Sequence, residues 1–168
     1  MTYYRLFQLI DSELRRGKTL RSCKNHLTNN SSRNQFFNVP YLNPILNNEK
    51  TYTISNEYGY KRIPLYKSHL AEMHIIKWGL KSKSPVHEHP ELGCLMKIIS
   101  GELYENQYHF ISRHEKNEPS LMEIKRNVLK EHDTHFIEGT TIYHKITNNN
   151  LDKETISLHI YAPPYENV

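Results

Sequence analysis

Thr155-Ile156-Ser157-Leu158-His159-Ile160-Tyr161 is the stretch on which the class of fold turns. In an extended chain successive side chains point to opposite faces. Ile156, Leu158 and Ile160 then share one face and suit a core, while Ser157, His159 and Tyr161 share the other. The polar row has two readings. It faces solvent, or it forms a chain in which Ser157 orients the His159 imidazole and the imidazole holds the Tyr161 hydroxyl. Ala162-Pro163-Pro164 ends the strand, because proline cannot donate to a ladder.

Working back from this strand, the same alternation recurs. Leu70–Trp78 carries Met73, Ile75 and Lys77 on one face and His74, Ile76 and Trp78 on the other. Leu95–Ile99 is a short apolar run closed by Ser100-Gly101, and Glu102–Phe110 alternates Leu103, Glu105, Gln107 and His109 against Tyr104, Asn106, Tyr108 and Phe110. Thr51–Ile54, Asn127–Lys130, His135–Ile137 and Tyr143–Thr147 add further short strands. Many short strands parted by Gly, Pro and Asn turns predict an all-β barrel or sandwich. Near the N-terminus the period changes. Tyr3, Phe7, Ile10 and Leu14 recur at four- and three-residue steps before Gly17, which predicts an amphipathic helix over residues 1–17 lying outside the core. Residues 21–50, rich in Asn and Ser with Pro40 and Pro44, read as loop and short helical turns held down by Phe36, Phe37, Val39 and Leu42. The expected organisation is one compact domain: a helix and loop segment, 1–50, packed on a barrel, 51–168.

Composition narrows the function classes. The 168 residues are 37% hydrophobic and 24% charged, with 16 Asn, 12 Tyr and 11 His. With 11% aromatics and a net charge of only +4 the chain reads as folded rather than disordered. No apolar run approaches the ~18 residues of a membrane span, and two cysteines cannot make a disulfide framework. Arg5 and Asp11 interrupt the only candidate signal segment, so the sequons in Asn29-Asn30-Ser31-Ser32 carry no meaning and a reducing, cytosolic compartment is expected. No Lys/Arg stripe is interleaved with aromatics, which argues against a nucleic-acid partner.

The chemistry concentrates in a few places. His87 and His89 lie two apart, so on a strand both imidazoles point the same way and can chelate one metal. The run His87-x-His89-x4-Cys94-x6-Gly101 resembles the first sequence block of the cupins, with Cys94 where a glutamate usually stands; His144-x3-Asn148, with Gly139 upstream, resembles the second. The resemblance implies a jelly-roll-like cupin barrel whose metal ligands are His87, His89 and His144. Three neutral imidazoles suit a divalent first-row metal, zinc included.

More closely, the chain resembles the cysteine dioxygenases, the thiol dioxygenase branch of the cupins. Tyr60-Lys61-Arg62 stands about 25 residues before the His pair, Trp78 precedes the His loop, and Cys94 follows His89 by five. Ser157, His159 and Tyr161 begin thirteen residues after His144 and run into Tyr161-Ala162-Pro163-Pro164. The likeness spans roughly residues 55–165. It departs in a divergent loop, Ile111–Glu131, and in an end at Val168, soon after the prolines.

This resemblance implies Fe(II), with L-cysteine and O2 as substrates and cysteine sulfinate as product. It implies that Arg62 holds the substrate carboxylate with Tyr60 beside it, that Tyr161 places its hydroxyl by the substrate, steadied by His159 and Ser157, and that Cys94 and Tyr161 can join in a thioether. It further implies a monomer. Other readings stay open beside it: 3-mercaptopropionate or another small thiol as substrate, or a metal-binding cupin acting as isomerase or sensor. Taken alone, Cys94 and Trp78 read as core, Cys23 as a bystander thiol, and His26, His69, His74, His109, His114, His132 and His135 as structural or exposed. Of these, His135 sits nearest the motif, nine residues before His144.

Overall fold

The fold is described from a computed structural model, covering residues 2–28, 37–48, 53–55, 57–113 and 119–165. The sequons at 29–32, Phe36 and His114 lie outside the described residues. The described elements are helix α1 (Tyr3–Arg15), a short 3-10 helix (Arg21–His26), helix α2 (Val39–Leu46) and nine strands. These are β1 (Thr53–Ser55), β2 (Tyr60–Lys67), β3 (Glu72–Trp78), β4 (Cys94–Ser100), β5 (Glu102–Arg113), β6 (Pro119–Lys130), β7 (Thr134–Ile137), β8 (Tyr143–Thr147) and β9 (Thr155–Tyr161).

All ladders are antiparallel, and the strands make two sheets, β1-β2-β3-β9-β4-β7 and β6-β5-β8. The mainly-β, jelly-roll-like expectation holds, with two sheets that face each other and do not close into a barrel. The segment between β3 and β4 leaves the large sheet and runs beside β8, touching its backbone at Lys83–Thr147 and His87–His144. The region expected as a divergent loop, Ile111–Glu131, is instead largely strand: it holds the end of β5 and all of β6, which pair from Glu102–Lys130 out to Arg113–Pro119. Its exposed apolar residues Ile111, Met122 and Ile124 break the hydrophobic-in, polar-out pattern by which strands are recognised.

The molecule has three layers. On one side of the large sheet Met73, Ile75, Leu95, Leu158 and Ile160 pack against Tyr3, Leu6, Phe7, Ile10 and Leu14 of α1. On the other, Ile76, Trp78, Met96 and Ile98 meet Leu103, Leu129 and Ile146 of the small sheet. The central strands are therefore covered on both faces, and every residue of β9 is buried. Helix α1 forms because its apolar stripe has a core to face, and Thr2 Oγ1 caps it by accepting from Arg5 N at 3.2 Å. Gly101, at φ +88°, makes the tight turn from β4 into β5, and a side chain there would run into Thr155. No helix among the described residues is long and apolar enough to cross a membrane.

Candidate metal centre

The three motif histidines arrive from two directions and meet. The segment beside β8 holds His87 by a reciprocal backbone pair, His87 N to His144 O at 3.0 Å and His144 N to His87 O at 2.8 Å. Ser84 strengthens the same edge, its Oγ accepting from Ile146 N at 2.9 Å. One ligating atom from each of His87, His89 and His144 lies within 4.8 Å of the others, and the ring centroids are 4.3–5.3 Å apart.

Their partners decide their tautomers. His87 Nδ1 lies 3.0 Å from the Pro85 carbonyl oxygen, an acceptor only, so Nδ1 carries the hydrogen and Nε2 is bare. His144 Nδ1 lies 2.9 Å from Oε1 of Glu105, so Nδ1 carries a hydrogen and Nε2 is the nitrogen turned to the cluster. Nε2 of His87 and Nε2 of His144 face each other at 3.2 Å. Two imidazole nitrogens this close are held by a shared proton or by a shared metal ion. Burial, reinforced by the neighbouring His144, holds the His87 imidazole neutral with its pKa lowered to about 3. Burial does the same to His89, whose Nδ1 is enclosed without a hydrogen-bond partner. The donor set fits a divalent first-row metal: three convergent imidazoles, with no carboxylate among the three.

Beside the histidines, one face of the large sheet presents the other expected residues. The register sets Arg62 of β2 against Ile76 of β3, Ile76 against Ser157 of β9, and Tyr161 of β9 directly against Cys94 of β4. Tyr60, Arg62, Trp78, His159 and Tyr161 line the same cavity as the three histidines, about 240 Å³ in volume. Cys94 and Ser157 do not line it; both are completely buried in the wall behind. Arg62 carries its guanidinium 5.7 Å from the Tyr161 ring centroid, and its buried Nε has no partner.

Of the two readings of the polar row on β9, the buried chain is the one observed. Ser157 Oγ lies 2.8 Å from His159 Nε2, and Tyr161 Oη lies 3.1 Å from His159 Nδ1. Trp78, expected to be plain core, also belongs to this row: its Nε1 donates to Ser157 Oγ at 2.9 Å. An indole N–H can only donate, so Ser157 Oγ accepts from it and keeps its own hydrogen available for His159 Nε2. In the arrangement that uses it, His159 carries its hydrogen on Nδ1, Tyr161 accepts from Nδ1 and the phenol hydrogen is free. Burial holds His159 neutral, and burial, with Cys94 beside it, keeps the Tyr161 phenol protonated. The Cys94 thiol sits 3.9 Å from the same Nδ1, its pKa pushed up by burial.

Two groups here were not foreseen. Tyr165 lines the cavity, donating from Oη to Glu88 O at 3.2 Å while its backbone N–H reaches Glu72 Oε1 at 3.2 Å. Glu105 is fully buried behind His144. A usable signal existed for Glu105, since it shares a strand face with Leu103; an acid on an inward face requires partners. For Tyr165, beyond the last strand, no pattern would have served.

A family model described as cysteine dioxygenase type I matches residues 41–168. Cysteine dioxygenase type 1 of Danio rerio is 27% identical over 92 residues, which are 55% of this chain and 45% of that protein. The Homo sapiens protein of the same name is 26% identical over 92 residues, 55% of this chain and 44% of its own length. The match thus spans less than half the length of these relatives. Among solved structures, an RmlC-like cupin from Shewanella frigidimarina superposes with a TM-score of 0.52 at 18% identity, covering 71% of this chain and 89% of that one. The cupin domain of Schizosaccharomyces pombe Cnp3 gives 0.51 at 10% identity, covering 67% and 68%. These likenesses identify the fold as cupin.

Proposed function

The chain belongs to the cysteine dioxygenase type I family, and on that premise we propose that it oxidises L-cysteine with O2 to cysteine sulfinate, using Fe(II) held by His87, His89 and His144. The observation that carries this reading is the three-imidazole centre, its ring nitrogens converging, opening on a cavity that also holds Arg62, whose buried Nε has no hydrogen-bond partner among the described residues. Bound Fe(II) supplies the redox chemistry that delivers both atoms of O2 to the thiolate sulfur. The ligand set carries no negative charge, so an anionic thiolate is the natural complement.

The chain's own residues do the rest. Arg62 holds the substrate carboxylate, and its planar fork fixes the direction from which the sulfur reaches the metal. Tyr60, two residues away on the same strand face, limits the space beside it. Trp78, Ser157 and His159 act in series to hold the Tyr161 phenol with its hydrogen free for the substrate. Cys94 stands directly across the ladder from Tyr161. Joining its sulfur to the phenol ring removes two hydrogens, with O2 as their acceptor, and the thioether pins the ring in place.

Metal analysis with substrate comparison tests this reading. The purified protein should carry iron and consume O2 with L-cysteine faster than with 3-mercaptopropionate, which lacks the amine. Zinc without iron, and no O2 uptake after Fe(II) is supplied, would overturn it. Faster turnover of 3-mercaptopropionate would move the substrate assignment to that thiol.

A further inference from the structure

Behind the three histidines lies a carboxylate with every neighbour arranged around it. Glu105 of β5 is completely buried. Its Oε1 faces His144 Nδ1 at 2.9 Å. Its Oε2 accepts from Asn127 Nδ2 at 2.7 Å and Gln107 Nε2 at 3.2 Å, and lies 3.0 Å from His135 Nε2. The amide N–H groups of Asn127 and Gln107 can only donate, so Oε2 meets them as an acceptor.

A buried carboxylate costs several kcal/mol in desolvation, and apolar residues of similar volume often serve stability better. A core needs no charge here. Leu103 and Ile146, adjacent to Glu105 in the sheet, pack as ordinary apolar core. His144 of β8, Asn127 of β6, Gln107 of β5 and His135 of β7 instead converge on one carboxylate, one ring away from the nitrogen that His144 turns to the cluster.

We infer that Glu105 is a positioning residue of the metal centre: it fixes His144 in the Nδ1–H form with Nε2 aimed at the ion, and supplies a negative charge to a ligand set that otherwise has none. Asn127, Gln107 and His135 keep the carboxylate from turning. The inference rests on His87, His89 and His144 being the metal ligands. A hydrogen-bonded carboxylate behind a ligating histidine typically raises metal affinity ten- to a hundredfold.

The test uses Co(II) as the probe ion, titrated against a chelator into metal-free protein at pH 7.5. Wild type is compared with Glu105→Gln, Glu105→Ala and, as control, His144→Ala. Glu105→Gln keeps an oxygen to accept from Nδ1 but removes the charge, and is expected to weaken Co(II) binding about tenfold, with Glu105→Ala losing up to a hundredfold. The Fe(III)/Fe(II) midpoint potential of iron-loaded Glu105→Gln should rise, which a purely structural role would not cause. Affinity within twofold of wild type and an unmoved potential in folded Glu105→Gln would overturn the inference while leaving the metal site standing. If wild type and His144→Ala bind Co(II) equally, the ligand assignment fails, and this inference with it. Should Glu105→Ala not fold, Glu105→Gln alone decides.

Discussion

Trp78 has one hydrogen-bonding atom, and that simplicity orders the row beyond it. Because the indole N–H can only donate, Ser157 accepts from it and keeps its own hydrogen available for His159. Trp78→Phe keeps an aromatic ring at the position, removes the donor and leaves a small gap where the second ring stood. The expected result is a kcat several-fold lower with KM for cysteine nearly unchanged, checked by steady-state kinetics. Arg62→Ala should do the opposite: losing a charge-assisted hydrogen bond of about 1.5–3 kcal/mol raises KM for cysteine about ten- to a hundredfold, with iron content unaltered. Unchanged kinetics would remove Arg62 from the site. Single residues were also where the sequence was most legible. His87, His89 and His144 stood out by spacing, and Ser157, His159 and Tyr161 by alternation along one strand. The role of Trp78 was less so, because its partner Ser157 lies on another strand, and for Glu105 only its inward face was visible, since His144, Asn127 and His135 come from other strands.

At the scale of elements, strand register is what joins these residues. A slip of one residue between β4 and β9 would move Cys94 away from Tyr161 and turn the Ser157–Tyr161 row to the helix side. The period-two pattern of β9 and the apolar run of β4 were readable because one face of each meets a core. The outer half of the β5–β6 hairpin was not, since its exposed apolar side chains and solvent-facing edges break alternation. Helix α1 was readable from its spacing, and its role follows from packing: it covers the face of the large sheet opposite the metal centre. Ile10, fully buried there, should cost about 2–5 kcal/mol when changed to Ala. Chemical denaturation should show that loss, and Co(II) affinity should stay at the wild-type value because the histidines lie in the other layer.

For the whole molecule, the buried titratable groups set a direction for stability with pH. His87, with a folded pKa lowered to about 3, and His89 and His159, also lowered by burial, stay neutral in the native state, whereas in the unfolded chain they protonate below about 6.5. The unfolded state then binds more protons as the pH falls below 6.5, so their contribution is present in full above that pH and is lost progressively toward 3. Glu105, held as a carboxylate by its donors, adds to the loss once the pH passes below the unfolded value near 4.5. Thermal melts of metal-free protein should therefore be flat from pH 8 to 7 and fall steadily from pH 6.5 to 4. A Tm that rises over the lower interval would contradict the burial of these groups.

The central claim is that this cavity transfers both atoms of one O2 to the sulfur of cysteine. Turnover of L-cysteine under isotopically labelled O2, with the product resolved by mass, tests it most directly. The account predicts cysteine sulfinate in which both sulfur-bound oxygens carry the label. Cystine alone, or a product with one labelled oxygen or none, would contradict it.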